Sequence, residues 1–163
     1  MNQPANTLQV STPSDREIAM TRAFDAPRNL VFEAWTKPEH VRQWWGLRSS
    51  TMLVCEGDVR PGGSWRYVTR EENGAEVPFT GVYQEITPPE RLVYTEVYDV
   101  EPFNSGDPAV NTVTFTEEEG RTLVTITTVY PTREVRDFVL GTGMERGAAE
   151  SYDQLADHLK TLA

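Results

Sequence analysis

The stretch GMERGAAESYDQLADHLKTLA, residues 143–163, decides the fold because it predicts the one long helix of the chain. Its apolar side chains return at every third or fourth position, which is the spacing of a single helix face. These side chains are Met144, Ala148, Tyr152, Leu155, Leu159 and Leu162. Charged side chains fall mostly on the other face, so we expect one apolar stripe to pack against the rest of the molecule.

The preceding sequence predicts a sheet for that helix to pack against. Alternation of apolar and polar residues predicts a first strand at 16–24 and six more at 51–58, 64–71, 77–86, 92–99, 111–117 and 122–130. Pro27 and Pro38 suit the starts of two short helices after the first strand, and another short helix is predicted at 133–140. Most strand connections are too short for parallel crossovers, so the sheet is predicted to be antiparallel. One long helix against one such sheet requires the sheet to curve, which predicts an α+β fold.

Composition limits the class of protein. The 163 residues suffice for one domain at 16–163, preceded by a flexible tail at 1–15. A net charge of -10 argues against nucleic acid and against anionic membrane surfaces, because binding to both depends on Lys and Arg. No apolar run is long enough for membrane insertion, and a single cysteine excludes an intramolecular disulfide. We therefore expect a cytoplasmic protein.

Residues for metal or nucleophilic chemistry are scarce. His40 and His158 lie in polar helical surroundings and are interpreted as solvated surface residues. Cys55 has no basic neighbour in the sequence, so we interpret it as a buried structural thiol. These residues cannot build a usual zinc site, and no phosphate-binding glycine loop is present. Neither a metal nor another cofactor is expected.

Several short motifs resemble those of a known family. They are FDAP at 24–27, VFEAW at 31–35, WWG at 44–46, RPGGSW at 60–65, PPERL at 88–92 and GMERG at 143–147. As a set they resemble the START-like, or SRPBCC, superfamily, in the branch related to the activator of the heat-shock-protein-90 ATPase. The resemblance implies a helix-grip fold, in which a curved antiparallel sheet wraps around the C-terminal helix. Members include lipid and hormone carriers, polyketide cyclases, antibiotic self-resistance proteins and co-chaperone modules, so fold alone does not select a function.

The resemblance also implies a cavity between helix and sheet, and this chain has many side chains suited to line one. Four tryptophans and six tyrosines are numerous for its length, and aromatic walls with a few polar tips suit small hydrophobic ligands. Phe103 lies in a long loop, residues 100–109, that is a candidate lid. The alternative is that these rings simply fill the core. The predicted ligand-binding side chains are Trp45, Trp65, Tyr67, Tyr83, Tyr94, Tyr98, Phe103, Met144, Ala148 and Tyr152, together with Arg22 and Glu96.

Arg22 and Glu96 are charged residues inside otherwise apolar or aromatic strand faces. Because an isolated buried charge is costly, we expect them to pair or to bind a polar group of a ligand. With Tyr94 they are also the weak candidates for acid/base and oxyanion roles. A one-residue error in the assigned face would instead place both charges in solvent.

Three classes of function remain open. The leading hypothesis is binding of a small hydrophobic or aromatic molecule, lipid- or polyketide-like, without catalysis. The second is an enzyme of cyclase, dehydratase or hydrolase type that uses the same cavity. The third is a chaperone-related protein-interaction module, which predicts a contiguous exposed apolar patch. A homodimer is compatible with all three.

Overall fold

A computed structural model describes residues 5–162, and eight strands in this range form one antiparallel sheet. The strands are β1 Gln9–Ser11, β2 Glu17–Phe24, β3 Thr51–Gly57, β4 Ser64–Arg70, β5 Glu76–Thr87, β6 Arg91–Tyr98, β7 Ala109–Glu118 and β8 Arg121–Val129. Their order across the sheet is β1-β2-β8-β7-β6-β5-β4-β3. Each strand from β3 to β7 pairs with the next strand in the sequence, as expected where most connections are short.

The described residues also form four helices, α1 Arg28–Thr36, α2 Pro38–Trp44, α3 Arg133–Leu140 and α4 Met144–Leu162. Pro38 is the first residue of α2, where the missing N–H of proline breaks no helical hydrogen bond. Thr132 precedes α3 and accepts a hydrogen bond from Val135 N at 3.2 Å, which caps the helix. Gly143 lies between α3 and α4 at φ +81°, a conformation that favours glycine.

This architecture confirms the predicted α+β helix-grip fold, with a curved antiparallel sheet, two short helices after β2 and a long C-terminal helix. The sequence missed β1, which lies in the segment interpreted as a tail and pairs with β2 through Gln9↔Thr21 and Ser11↔Ala19. Three residues carry too short a pattern to predict a strand, and the edge of β2 supplies the partner. Residues 1–4 of the predicted tail, and Ala163, lie outside the described residues.

Helix α4 packs directly on the two short helices. It buries Leu155 and Leu159, and Ser151 Oγ donates a hydrogen bond to the Trp44 carbonyl oxygen at 2.8 Å. The ring of Tyr152 stacks on that of Trp35, with centroids 5.3 Å apart. None of the helices in residues 5–162 combines the length and apolar character that crossing a membrane requires.

Candidate functional site

Aromatic rings converge where α1 and α2 face strands β4, β5 and β6. Trp65 and Tyr67 alternate onto the inner face of β4, and Trp65 pairs with Gly81 of β5. Tyr83 of β5 pairs with Tyr94 of β6. Because residues that pair across antiparallel strands lie side by side on one face, these rings form a continuous surface.

Gly81 makes room for the Trp65 indole to lie across β5. A Cβ at position 81 would fall 2.5 Å from Trp65 Nε1 and 1.8 Å from the Thr95 carbonyl oxygen on β6. The Nε1–H of Trp65 is buried and has no hydrogen-bond partner. An unsatisfied buried donor costs stability, and an acceptor that reached it would recover that cost.

The cavity among these rings has a volume of about 20 Å³. That is room for roughly one water molecule, whereas small-molecule pockets typically occupy about 300–1,000 Å³. The lining consists of Trp35, Val41, Trp44, Trp45, Trp65, Tyr67, Tyr83, Leu92 and Tyr94. The rings therefore occupy most of the space that the sequence predicted to be a cavity.

Some predicted ligand-binding residues meet at this cavity and others do not. Its lining includes the predicted Trp45, Trp65, Tyr67, Tyr83 and Tyr94. Met144, Ala148 and Tyr152 of α4 pack against the core without lining it. The cavity therefore lies beside α2 rather than beneath α4. Sequence reasoning did not assign Trp35, Val41, Trp44 and Leu92 to the site, because periodicity marks a residue as buried without saying what it surrounds.

The neighbouring Trp44 and Trp45 diverge at the end of α2. Trp44 is 2% exposed, and its Nε1–H donates a hydrogen bond to the Ala34 carbonyl oxygen at 2.9 Å. Trp45 is half-buried and makes edge-to-face contacts with Tyr67 and Trp65, at centroid distances of 5.0 and 6.3 Å. A hydrogen bond inside the core holds Trp44 in place, whereas the Trp45 side chain contacts the rings of Trp44, Trp65, Tyr67 and Phe79.

A row of rings connects Trp45 with the surface. Trp45 contacts Phe79 at a centroid distance of 6.0 Å, and Phe79 contacts Tyr98 at 5.4 Å. Tyr98 contacts Phe103 in the loop after β6 at 5.6 Å, and Phe103 stacks on Phe138 of α3 at 5.0 Å. Phe103 is 47% exposed and Phe138 is 52% exposed. The predicted lid residue Phe103 thus belongs to an aromatic path between the cavity lining and solvent.

Glu96 belongs to a polar row on the inner face of the sheet. Its Oε1 accepts a hydrogen bond from Asn111 Nδ2 at 2.7 Å, and Asn111 Oδ1 accepts one from Thr128 Oγ1 at 2.5 Å. Burial raises the pKa of the Glu96 carboxyl, and the Asn111 hydrogen bond opposes that rise. Burial also raises the pKa of Tyr94, and the nearby charge of Glu96 adds to it. Sequence reasoning missed Asn111 and Thr128, although their inward positions in alternating strands were a usable signal.

Glu96→Gln is expected to stabilise the protein at neutral pH. A carboxyl whose folded pKa is raised contributes stability below its unfolded pKa and loses it as pH rises through the folded pKa. Glutamine keeps the Oε1 acceptor for Asn111 and cannot ionise. We expect a Tm about 2–4 °C above the wild type near pH 7, shrinking to no difference near pH 4. An equal Tm difference at both pH values would contradict this origin.

Arg22 lies apart from the aromatic cavity, beside α4. Its Nη2 donates to Asp153 Oδ1 at 3.0 Å, and its Nη1 donates to the Ala23 carbonyl oxygen at 3.2 Å. The side chain is buried on the face that the alternation in β2 predicts. Arg22 and Glu96 therefore each take a separate polar partner instead of pairing with one another.

The two histidines meet between α2 and α4, where each is partly buried rather than fully solvated as predicted. His40 Nδ1 and His158 Nε2 lie 2.9 Å apart, and both side chains are partly buried. Burial lowers the pKa of His158, and the proximity of His40 lowers it further. Each histidine looks solvated on its own helix, and only the packing of one helix on the other buries the pair.

Acidification is expected to weaken the packing of α2 on α4. A histidine whose folded pKa is depressed contributes stability above its unfolded pKa of about 6.5 and loses it as pH falls below that value. We expect His158→Gln to reduce the fall in Tm between about pH 7 and about pH 5 by up to about 3 °C relative to the wild type. The comparison with the wild type cancels the titration of distant carboxylates. The same fall in both proteins would exclude this pair as the cause.

Cys55 is buried, as predicted from the sequence. Its Sγ donates a hydrogen bond to the Pro38 carbonyl oxygen at 3.4 Å, and burial raises the pKa of the thiol. A raised pKa suppresses the reactive thiolate, which supports a structural role. Within residues 5–162 no three histidine, cysteine or acidic side chains cluster as metal ligands would.

Comparisons with known proteins place this geometry in a family. The family described as "Activator of Hsp90 ATPase homolog 1-like protein" matches residues 25–160. A comparison with curated proteins found no match.

Solved structures of similar fold come from several bacteria. A crystal structure of a Rhodobacter sphaeroides protein is 27% identical over 95% of this chain and 99% of its own, with a TM-score of 0.87. A solution structure from Staphylococcus epidermidis is 26% identical, covers 96% of this chain and 95% of its own, and has a TM-score of 0.79. A crystal structure of a Nitrosomonas europaea protein shares the fold at 23% identity and a TM-score of 0.81, over 91% of this chain and 96% of its own. The chain therefore belongs to the Activator of Hsp90 ATPase homolog 1-like family.

Proposed function

We propose that the protein binds a small aromatic molecule among the rings between α2 and strands β4 to β6. Hydrophobic ligands are common in this superfamily, and the aromatic lining of the cavity suits a ligand that is itself an aromatic ring. The main support for the proposal is the position of Trp45. This ring is half-buried, lines the cavity of about 20 Å³ and begins the aromatic path to the surface.

Trp45 is the ring that a ligand would replace. It follows the last residue of α2 and precedes Gly46, which has φ +93°. Rotation of its side chain breaks no backbone hydrogen bond, and it adds a ring-sized space to the existing cavity beside Trp65 and Tyr67. Trp44 is a poorer candidate, because its rotation would break the hydrogen bond to Ala34.

The unpaired Nε1–H of Trp65 favours a ligand that carries a hydrogen-bond acceptor. Trp65 is 3% exposed and lines the cavity. A carbonyl or ether oxygen on the ligand would satisfy this donor, and a pure hydrocarbon would leave it unpaired. The ligand class that follows is a small aromatic ring with one acceptor oxygen.

Phe103 and Phe138 lie where the ligand would enter the protein. Their stacked rings are the exposed end of the aromatic row, and they join a loop to α3 rather than two strands. Exposed Val135, three residues before Phe138, extends the same helix surface. Separation of the two phenylalanine rings would open the row to a planar molecule without disturbing the sheet.

Acetophenone and ethylbenzene form a matched probe pair, because they differ in the presence of a carbonyl acceptor. We expect acetophenone to bind saturably and to shift the indole N–H resonances of Trp45 and Trp65 in an NMR titration. Trp65→Phe keeps a ring and removes the donor, so it should weaken acetophenone binding about two- to tenfold and leave ethylbenzene unchanged. No saturable shift with either probe would overturn the proposed function. Equal effects of Trp65→Phe on both probes would exclude Trp65 as the anchor.

A further inference from the structure

A second, polar groove lies between α4 and the edge of the sheet that carries β2. Its volume is about 400 Å³, within the range of small-molecule sites. Asn6, Arg22, Asp25 and Arg48 line one part, and Asp153, Ala156, Asp157, Leu159 and Lys160 of α4 line the other. None of these residues lines the aromatic cavity, so the groove is independent of the function proposed above.

Arg22 is the most buried charged group of this groove, and not all of its hydrogen-bond donors have a partner. Its side chain is 7% exposed, and its guanidinium lies 4.5 Å from the centre of the Phe24 ring. A single N–H, on Nη2, reaches the carboxylate of Asp153, and the buried Nε has no partner. Arginine binds carboxylates most strongly through two parallel N–H bonds, and this pair makes one.

Asp153 is a weak counterion for so buried a cation. Its side chain is 58% exposed on the surface of α4. An ion pair with an exposed partner contributes little, because solvent screens the exposed charge and its side chain loses freedom. An anion seated in the groove would meet Arg22 with less exposure to water than Asp153 has, and would displace it.

The charges of the groove favour a singly charged anion over a doubly charged one. The groove is lined by three cations, Arg22, Arg48 and Lys160, and three carboxylates, Asp25, Asp153 and Asp157. These charges balance, whereas the whole chain has a net charge of -10. The aspartates would repel a doubly charged phosphate more strongly than a singly charged carboxylate.

The apolar part of the groove indicates the rest of the ligand. Ala156 and Leu159 of α4 line the groove, and Asp153 and Asp157 of the same helix pair with Arg22 and Arg48. A small hydrocarbon or aromatic body would cover these side chains while a carboxylate reaches the guanidinium. We infer that this groove binds a small monocarboxylate, whose carboxylate replaces Asp153 on Arg22 and whose apolar body lies against Ala156 and Leu159.

Benzoate and its neutral analogue benzamide test this inference. In an NMR titration of the full chain, benzoate should saturably shift the Arg22 Nε–H resonance and the backbone resonances of residues 153–160, and benzamide should not. Asp153→Asn removes the competing carboxylate, so we expect it to tighten benzoate binding about two- to fivefold, the factor that corresponds to loss of an exposed ion pair. Arg22→Gln should abolish benzoate binding.

The control variant is Asp58→Asn, which removes the same charge from an exposed ion pair with Arg60 outside the groove. It should leave benzoate affinity unchanged. Equal tightening in both aspartate variants would show a general charge effect and overturn the site. Equal shifts with benzamide, shifts confined to the tryptophan indoles, or no saturation would also overturn it. Because Asp153→Asn is expected to improve binding, the test does not depend on whether Arg22→Gln folds.

Discussion

Trp44→Ala is expected to lower the free energy of unfolding by about 3–5 kcal/mol, the range measured for truncating a fully buried large aromatic side chain. Trp44 is 2% exposed and contacts the rings of Trp35, Trp45 and Tyr152, at centroid distances of 5.1, 6.1 and 6.0 Å. Its loss would leave a space at the junction of α1, α2 and α4 and an unpaired acceptor at Ala34. Urea unfolding monitored by circular dichroism measures the change through the midpoint at constant m-value.

Trp45→Ala is the matched control, because it removes the same side chain from the next position. Its ring is half-buried, so we expect a loss of only about 1–2 kcal/mol. The same variant should bind acetophenone more tightly than the wild type, since no ring has to leave the site. Equal destabilisation by both variants would show that Trp45 is as firmly packed as Trp44, and would contradict its role as the displaceable ring.

Gly81→Ala is expected to destabilise the protein by about 3 kcal/mol or more, at the upper end of the cost of overpacking. The new Cβ would lie 1.8 Å from the Thr95 carbonyl oxygen, which is a backbone atom and moves only with strand β6. The Trp65 indole would also have to move. The direction is informative, because glycine-to-alanine changes at unstrained sites stabilise proteins by about 0.4–1 kcal/mol. Thermal and urea unfolding measure the change.

Gly106→Ala supplies the comparison for this effect. A Cβ at Gly106 would meet no atom within 4 Å. We therefore expect a change within about 0.5 kcal/mol of the wild type. If Gly81→Ala were equally harmless, β5 and β6 would have to separate readily. The part of the sheet under the aromatic cluster would then deform more easily than its packing indicates.

Local patterns were sufficient for most elements of the fold. The alternation of Ile18, Met20, Arg22 and Phe24 placed all four side chains on the buried face of β2. Helix α3 begins and ends at the predicted residues, 133 and 140, because Thr132 caps it and Gly141 follows it. Such signals depend on neighbours a few residues away, so they can be recognised without knowledge of the tertiary structure.

The sequence was a poorer guide to which side chains meet in the folded protein than to the fold. Aromatic alternation correctly brought Trp65, Tyr67 and Tyr83 to one face. The family resemblance implied a cavity between the sheet and the C-terminal helix, whereas the lining comes from α1, α2 and the sheet. The phase of a helix stripe says which side is buried and not which neighbour buries it. The contact between His40 and His158 shows the same limit, because the two residues are 118 positions apart in the chain.

By itself, the sequence determined the order and type of the main elements, the inward face of each strand and the richness of the interior in aromatic rings. Periodicity and turn chemistry act over a few residues, and they suffice for these features. Only the tertiary structure decided that the rings leave about 20 Å³, that Trp45 connects them to the surface, and that Arg22 meets Asp153 of α4 in a separate groove. These features depend on sheet curvature, helix placement and side-chain rotamers, which join residues far apart in the chain and have no local signature.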